Sequence, residues 1–499
     1  MRRRLRGCAG ALLALGLLGL PGPLAAQSGF PPDSAIRAIL EARVASGVAR
    51  GIVVGVLEQE GGARYFTAGT AGPGRAALDR YSVFEIGSIT KVFTGTLLAE
   101  MSLAGEVDLD DPVQRYLPDG VRMPARGERS ITLAQLGSQT SGLPRLPGNL
   151  RPGNIANPYA DYSVTQMYEF LTGHALTRDP GAQYEYSNLG VGLLGHVLAL
   201  RAGKPYEALV GARILLPLDM TSTAITLTPR MREHVVAGHN AAGDTVALWD
   251  LPTLAGAGAL RSNAEDMVRF LEANVRPGED RLGQALRTAH RRWAQAGAPA
   301  MGIGLAWHRL SVNGDTLVWH NGGTGGFRTF AGFRPSTGTA VVVLTNSGGQ
   351  GSDDIGFHLL NGAVPLAAAP LPLRPPMDDR NPLAGPARLE SLIGTQAGAV
   401  VSRVLVRNTG GTITLFAFDE GQGLSEHTAP FDALVQVLDG DAAITVGETR
   451  HSVSAGQAIL LPGGVPHALD ARSPFKMLLT MIRAVAPAVP APAGSADRP

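Results

Sequence analysis

The stretch from Pro365 to Pro386 constrains the fold more than any other feature of the chain. It is dominated by Pro and Ala and interrupted only by the short polar patch Asp378-Asp379-Arg380. Such a composition sustains neither a helix nor a strand and reads as a semi-rigid linker. A core formed before it cannot run on into a core formed after it. The 499 residues exceed one average core in any case. The expected organisation is a leader at 1–26, a first domain over 30–362, the linker at 363–386, a second domain over 387–485 and a disordered tail at 486–499.

The leader has the pattern of an export signal. Arg2, Arg3, Arg4 and Arg6 precede the apolar run Ala9 to Leu20, and small residues suited to cleavage follow up to Ala26. The run is short for a mature membrane span, so no stable anchor is expected after cleavage and the protein is expected to be periplasmic or secreted. The lone cysteine, Cys8, lies inside this leader. The mature chain is therefore expected to hold no disulfide and no thiol nucleophile. A formal net charge of +1 leaves no basic excess for nucleic acid.

Periodicity places a helix at Ala35–Ser46 and a strand pair at Gly51–Leu57 and Tyr65–Gly69 around the turn Gly61-Gly62. A helix follows from Ser88 to Leu103. The middle, about Asp108 to Asn274, reads as helices broken by Pro and Gly, clearest at Ser163–Leu171, Leu189–Leu200, Tyr206–Leu216 and Ala264–Asn274. Strand signals return at Gly304–Leu310, Thr316–His320, Thr329–Arg334 and Thr339–Thr345, with a closing helix near Asp354–Leu360. A sheet built from both ends of a region, with helices inserted between, is an α+β design with a cleft at the junction. Beyond the linker, short apolar runs at regular spacing from Val400 to Arg483 predict a small all-β barrel.

Of 43 basic residues only three are lysines, and one of them is Lys91 in Ser88-Ile89-Thr90-Lys91. Arginine stays protonated in proteins, whereas a desolvated lysine can lose its proton. At a helix start, Ser-x-x-Lys puts the hydroxyl and the amine one turn apart on the same face. That suits a serine nucleophile with a lysine base, and equally an N-capping serine followed by a solvated lysine. Two further segments bear on the choice: Tyr186-Ser187-Asn188 on a Pro/Gly loop before a helix, and His320-Asn321-Gly322-Gly323 at a strand end.

In this order and at these intervals, the three segments resemble the motifs of serine β-lactamases and penicillin-binding DD-peptidases, nearest the class C and esterase branch. The resemblance covers roughly Ile36 to Leu360. Thr140-Ser141-Gly142-Leu143-Pro144 and the glycine run Ala255–Leu260 agree with it. It implies a serine β-lactamase/DD-peptidase-like α+β fold, an antiparallel sheet flanked by helices plus a helical subdomain. It also implies catalysis by Ser88, Lys91 and Tyr186, substrate binding by Asn188, His320 and Gly322, and an oxyanion hole from the backbone N–H groups of Ser88 and Gly323. Asn188 is also expected to orient Lys91. His320 stands where many β-lactamases have lysine, so its protonation near neutral pH is expected to govern binding of carboxylate-bearing substrates.

The second domain resembles a small all-β cupin barrel, with a first half-motif from Gly421 through His427 to Gly440 and a second running from Gly456 to His467. Ala429 and Ala433 occupy positions where His and Glu are expected, so His427 and His467 would need a third ligand, such as Glu426 or His451, to hold a metal. A structural or ligand-binding barrel without cofactor is the expectation, and barrels of this type pair, which allows a homodimer. The functional expectation is an exported serine hydrolase that forms an acyl-enzyme on Ser88 from an ester, a D-amino-acid peptide or a β-lactam. Two alternatives are a non-catalytic sensor on the same fold and metal-dependent chemistry in the cupin.

Overall fold

A computed structural model of the chain describes residues 29–482, apart from 61, 350, 368–385, 409–410 and 430–431. The leader, most of the linker and the C-terminal tail lie outside the described residues. The chain divides into two compact units, one up to residue 373 and one from 374.

The first unit is built on eight strands: β1 (Gly51–Leu57), β2 (Ala63–Gly69), β3 (Ala294–Gln295), β4 (Met301–Ile303), β5 (His308–Val312), β6 (Asp315–Gly323), β7 (Arg328–Arg334) and β8 (Thr339–Thr345). Their order across the sheet is β2-β1-β8-β7-β6-β5-β4-β3, and every neighbouring pair is antiparallel. All seven residues of β1 and all seven of β8 are buried, because both faces of the sheet centre are covered. Ile52, Val54 and Val56 pack with Val341 and Val343 against α1 (Asp33–Ala45) and the closing helix Asp353–Leu360. Val53 and Leu57 join Val342 and Leu344 on the opposite face, in the core shared with the helical region. Period-2 alternation thus feeds two apolar cores rather than one core and solvent.

At the centre of the helical region lies α2 (Thr90–Leu103), whose residues from Thr90 to Met101 are all buried. Phe93 stacks on Phe270 with ring centroids 4.0 Å apart. Ser163 caps α3 (Val164–Gly173) in a reciprocal pair with Gln166, and Ser187 caps α4 (Asn188–Ala202) by accepting from the Gly190 N–H at 2.8 Å.

Two expectations need correction. Gly304–Leu310 is not one strand: residues 304–307 are the turn between β4 and β5, with Ala306 at φ +67°. Leu305 and Trp307 there are fully buried in the helical core, so an apolar run that mimics a strand is a chain folding inward. The Tyr206–Leu216 helix is α-helical only to Val210 and continues as a π turn from Gly211 to Leu215.

The second unit holds a five-stranded and a four-stranded antiparallel sheet between Val400 and Ile482. Val435, Val437, Ile444, Phe418 and Phe475 form the core between them.

Candidate active site

Ser88 lies in a 3-10 turn, Gly87–Ile89, that runs directly into α2. Gly87 has φ +51°, a conformation in which a side chain is strained, and a Cβ there would stand 2.8 Å from the Gly323 nitrogen. One position earlier in β6, a Cβ on Gly322 would meet the Ile86 carbonyl oxygen at 2.0 Å. The same carbonyl accepts from the Thr329 hydroxyl at 3.0 Å. The glycine-rich strand end is therefore pressed against the turn that presents the nucleophile. Gly322 is buried and packs closely against the turn that presents Ser88.

Lys91 is fully buried, and its Nζ lies 3.0 Å from Ser88 Oγ and donates to the Ala257 carbonyl at 2.6 Å. Nζ also sits 4.9 Å from the centroid of the Tyr186 ring. Burial, and then the charge of Arg145, hold the amine well below its ordinary pKa. No bond from Asn188 to Lys91 occurs among the described residues. The orienting group is the carbonyl of Ala257, in the glycine-rich segment 255–258. Burial raises the Tyr186 phenol, while Ser88 and Arg145 draw it partly back.

The loop from Gln139 to Arg145 braces the second motif. Gln139 Oε1 accepts from the Ser187 N–H at 2.7 Å, and the Arg145 carbonyl accepts from the Asn188 N–H at 2.9 Å. The Arg145 guanidinium lies 4.8 Å from the Tyr186 ring centroid. A cavity of about 130 Å³ opens at Ser88, walled by Arg145, Tyr159, Asn188, Trp249, Gly323 and Thr324 among others. Arg145, Tyr159 and Trp249 carried no sequence signal of their own, although Arg145 directly follows the Thr140–Pro144 segment. Beside Trp249, burial pushes Glu85 up to about 6, and its Oε1 accepts from the Trp249 N–H at 2.6 Å.

His320 is fully buried and is not on the cavity wall. Burial, His308 and Lys91 hold it well below its ordinary pKa. A ring so placed is biased toward its neutral form. The guanidinium on the wall belongs to Arg145.

In the second unit, His427 and His467 are Cα partners on adjacent strands, with ring centroids 4.6 Å apart. Each Nδ1 is tied to a backbone carbonyl, of Ser425 and Val465 respectively. No group of three or more His, Cys, Asp or Glu able to hold a metal occurs among the described residues. Two imidazoles without a third donor do not fit a transition metal.

Residues 36–362 match the family model described as Beta-lactamase, about two thirds of the chain. The chain belongs to the beta-lactamase family. It is a serine hydrolase of that family, and residues 414–482 match the cupin domain model. Among its relatives, a beta-lactamase of Pseudomonas fluorescens is 27% identical over 348 residues, 63% of this chain and 92% of that protein. The D-alanyl-D-alanine-carboxypeptidase/endopeptidase AmpH of Escherichia coli K12 is 32% identical over 309 residues, 58% of this chain and 78% of that protein. A crystal structure of a beta-lactamase/D-alanine carboxypeptidase from Pseudomonas syringae superposes with a TM-score of 0.57 at 21% identity, covering 64% of this chain and 96% of its own, a likeness of fold alone. No helix among the described residues is long and apolar enough to cross a membrane.

Proposed function

We propose that this family member hydrolyses a carbonyl substrate, an ester, a peptide ending in a D-amino acid or a β-lactam, through an acyl-enzyme on Ser88. The observation that carries the reading is the 3.0 Å contact between Ser88 Oγ and a fully buried Lys91 whose amine is held well below its ordinary pKa. A neutral Nζ takes the hydroxyl proton as Oγ bonds to the carbonyl carbon. The N–H groups of Ser88 and Gly323 receive the oxyanion. Collapse of the tetrahedral adduct breaks the scissile bond, and the proton passes to the leaving group through Lys91 and the Tyr186 phenol. Water then attacks the acyl carbon, gives its proton to the same pair, and Ser88 is restored. Because burial keeps Tyr186 protonated, it serves as donor and relay, with Lys91 as the base. Asn188 and Arg145 would contact the substrate from the cavity wall.

The names of the relatives above support β-lactams and D-alanyl peptides as candidate substrates. Export through the 1–26 leader, with the 30–362 domain carrying the chemistry, completes the proposal. The test is intact-mass analysis after incubation with benzylpenicillin, p-nitrophenyl acetate and an acylated D-alanyl-D-alanine peptide. Wild type should turn over or trap at least one as an adduct, and Ser88→Ala should do neither. An adduct formed equally well by Ser88→Ala would remove Ser88 from the reaction.

A further inference from the structure

Beside Lys91 stands a second set of titratable side chains that acyl transfer does not use. The Tyr184 hydroxyl is 2.9 Å from His308 Nε2. The His308 ring is 5.0 Å from that of His320, centroid to centroid, and 4.9 Å from Trp319. His320 Nδ1 lies 2.6 Å from the Asn321 carbonyl oxygen. Both imidazoles are buried, and neither His308 Nδ1 nor His320 Nε2 has a hydrogen-bond partner among the described residues. The three side chains come from three places: the loop that also carries Tyr186, strand β5 and strand β6.

The proton positions follow from the partners. A carbonyl only accepts, so His320 Nδ1 carries the hydrogen and its neutral ring offers Nε2 as an acceptor. With the Tyr184 hydroxyl donating to His308 Nε2, the hydrogen of the neutral His308 ring sits on Nδ1, which becomes a donor. One unpartnered donor and one unpartnered acceptor then lie on neighbouring buried rings, and leaving either unmet is costly. They do not reach each other directly, and one water held between the rings would satisfy both.

We infer that Tyr184, His308 and His320 form a single directional hydrogen-bonded chain ending on the Asn321 carbonyl, and that Tyr184 and His308 are positioning residues for Tyr186. The inference rests on the reading of Ser88, Lys91 and Tyr186 as the acyl-transfer machinery. Only Glu185 separates Tyr184 from Tyr186, so the bond that ties the first phenol to the sheet also fixes the second relative to Ser88. Small displacements at such a site carry large rate penalties.

The test uses the full chain and p-nitrophenyl acetate, with Tyr184→Phe, His308→Gln, the double variant and Ser88→Ala. Each single substitution should lower kcat about tenfold with KM within about twofold, and the double should lose little more than the worse single. Multiplicative losses near a hundredfold, a change confined to KM, or wild-type kcat in Tyr184→Phe would each overturn the chain. If His308→Gln does not fold, Tyr184→Phe decides alone by its kcat and KM, since it removes one hydroxyl and keeps the ring. Should Ser88→Ala retain turnover, the underlying reading falls and the inference with it; a dead Ser88→Ala beside an unimpaired Tyr184→Phe overturns the inference only.

Discussion

Replacing Lys91 with methionine should make the protein more stable at neutral pH while abolishing hydrolysis. Lys91 is fully buried, and its amine is held well below the ordinary 10.5. In the unfolded chain the amine is protonated at pH 7, about 3.5 units under that value. At about 1.36 kcal/mol per unit, keeping it neutral in the folded state costs up to roughly 5 kcal/mol. Methionine fills similar space without this cost, but strands the Ala257 carbonyl, which loses its 2.6 Å donor at about 1–3 kcal/mol. The net expected gain at pH 7 is up to about 2–4 kcal/mol. The sign with pH is fixed: the unfolded state holds one more proton than the folded state, so wild-type stability rises with pH and the advantage of Lys91→Met shrinks by about 1.4 kcal/mol per unit, reaching zero between about pH 8.5 and 10, depending on the size of the Ala257 penalty. All four tryptophans precede residue 320, so urea unfolding followed by tryptophan fluorescence reports the first unit alone. Lys91→Arg, which cannot shed its proton, should lose hydrolysis as fully as Lys91→Met, by at least about a hundredfold. A methionine variant less stable than wild type at pH 7, or a stability gap that does not move between pH 7 and 10, would refute the neutral-lysine argument.

Arg145→Gln should raise the acid limb of kcat/KM. Its guanidinium depresses Lys91 from at most about 10 Å, as both lie within 4.9 Å of the Tyr186 ring centroid, which is worth about one pH unit or more at an effective dielectric near 20; a pH profile on p-nitrophenyl acetate reads it directly. Gly322→Ala should cost about 1–3 kcal/mol in thermal unfolding and lower kcat at least tenfold, because its Cβ drives into the Ile86 carbonyl. Purified protein should carry no stoichiometric transition metal, and EDTA should leave ester hydrolysis unchanged; elemental analysis showing one metal per chain that His467→Ala loses would contradict the two-imidazole argument.

What the sequence disclosed follows from how local each signal is. Ser88 and Lys91 are three residues apart where a 3-10 turn runs into α2, so their contact is a property of local helical geometry and was legible. Strands β1 and β8 were legible because each has a sustained apolar run bounded by turn residues, and β2 and β7 because aromatic residues and threonine cluster between turn residues. Ala257 was invisible as a lysine partner because it acts through its carbonyl, which every residue has. His320 was legible as a position but not as a chemistry, since its neutrality comes from burial by segments distant in sequence. Trp307 misled because a buried aromatic in a turn carries the same composition as a strand.

The pairing of β1 with β8 has a consequence for how the unit comes into being. Ile52 faces Thr345, partners roughly 290 residues apart, and this pair of strands lies inside the sheet rather than at its edge. During synthesis the first strand must wait, with all seven of its core-facing residues uncovered, until nearly the whole unit has left the ribosome. The second unit closes its sheets within residues 400–482 and has no such delay. The first unit therefore cannot complete the centre of its sheet until its final strand arrives, and any truncation that removes β8 uncovers β1 along its whole length rather than trimming a last segment.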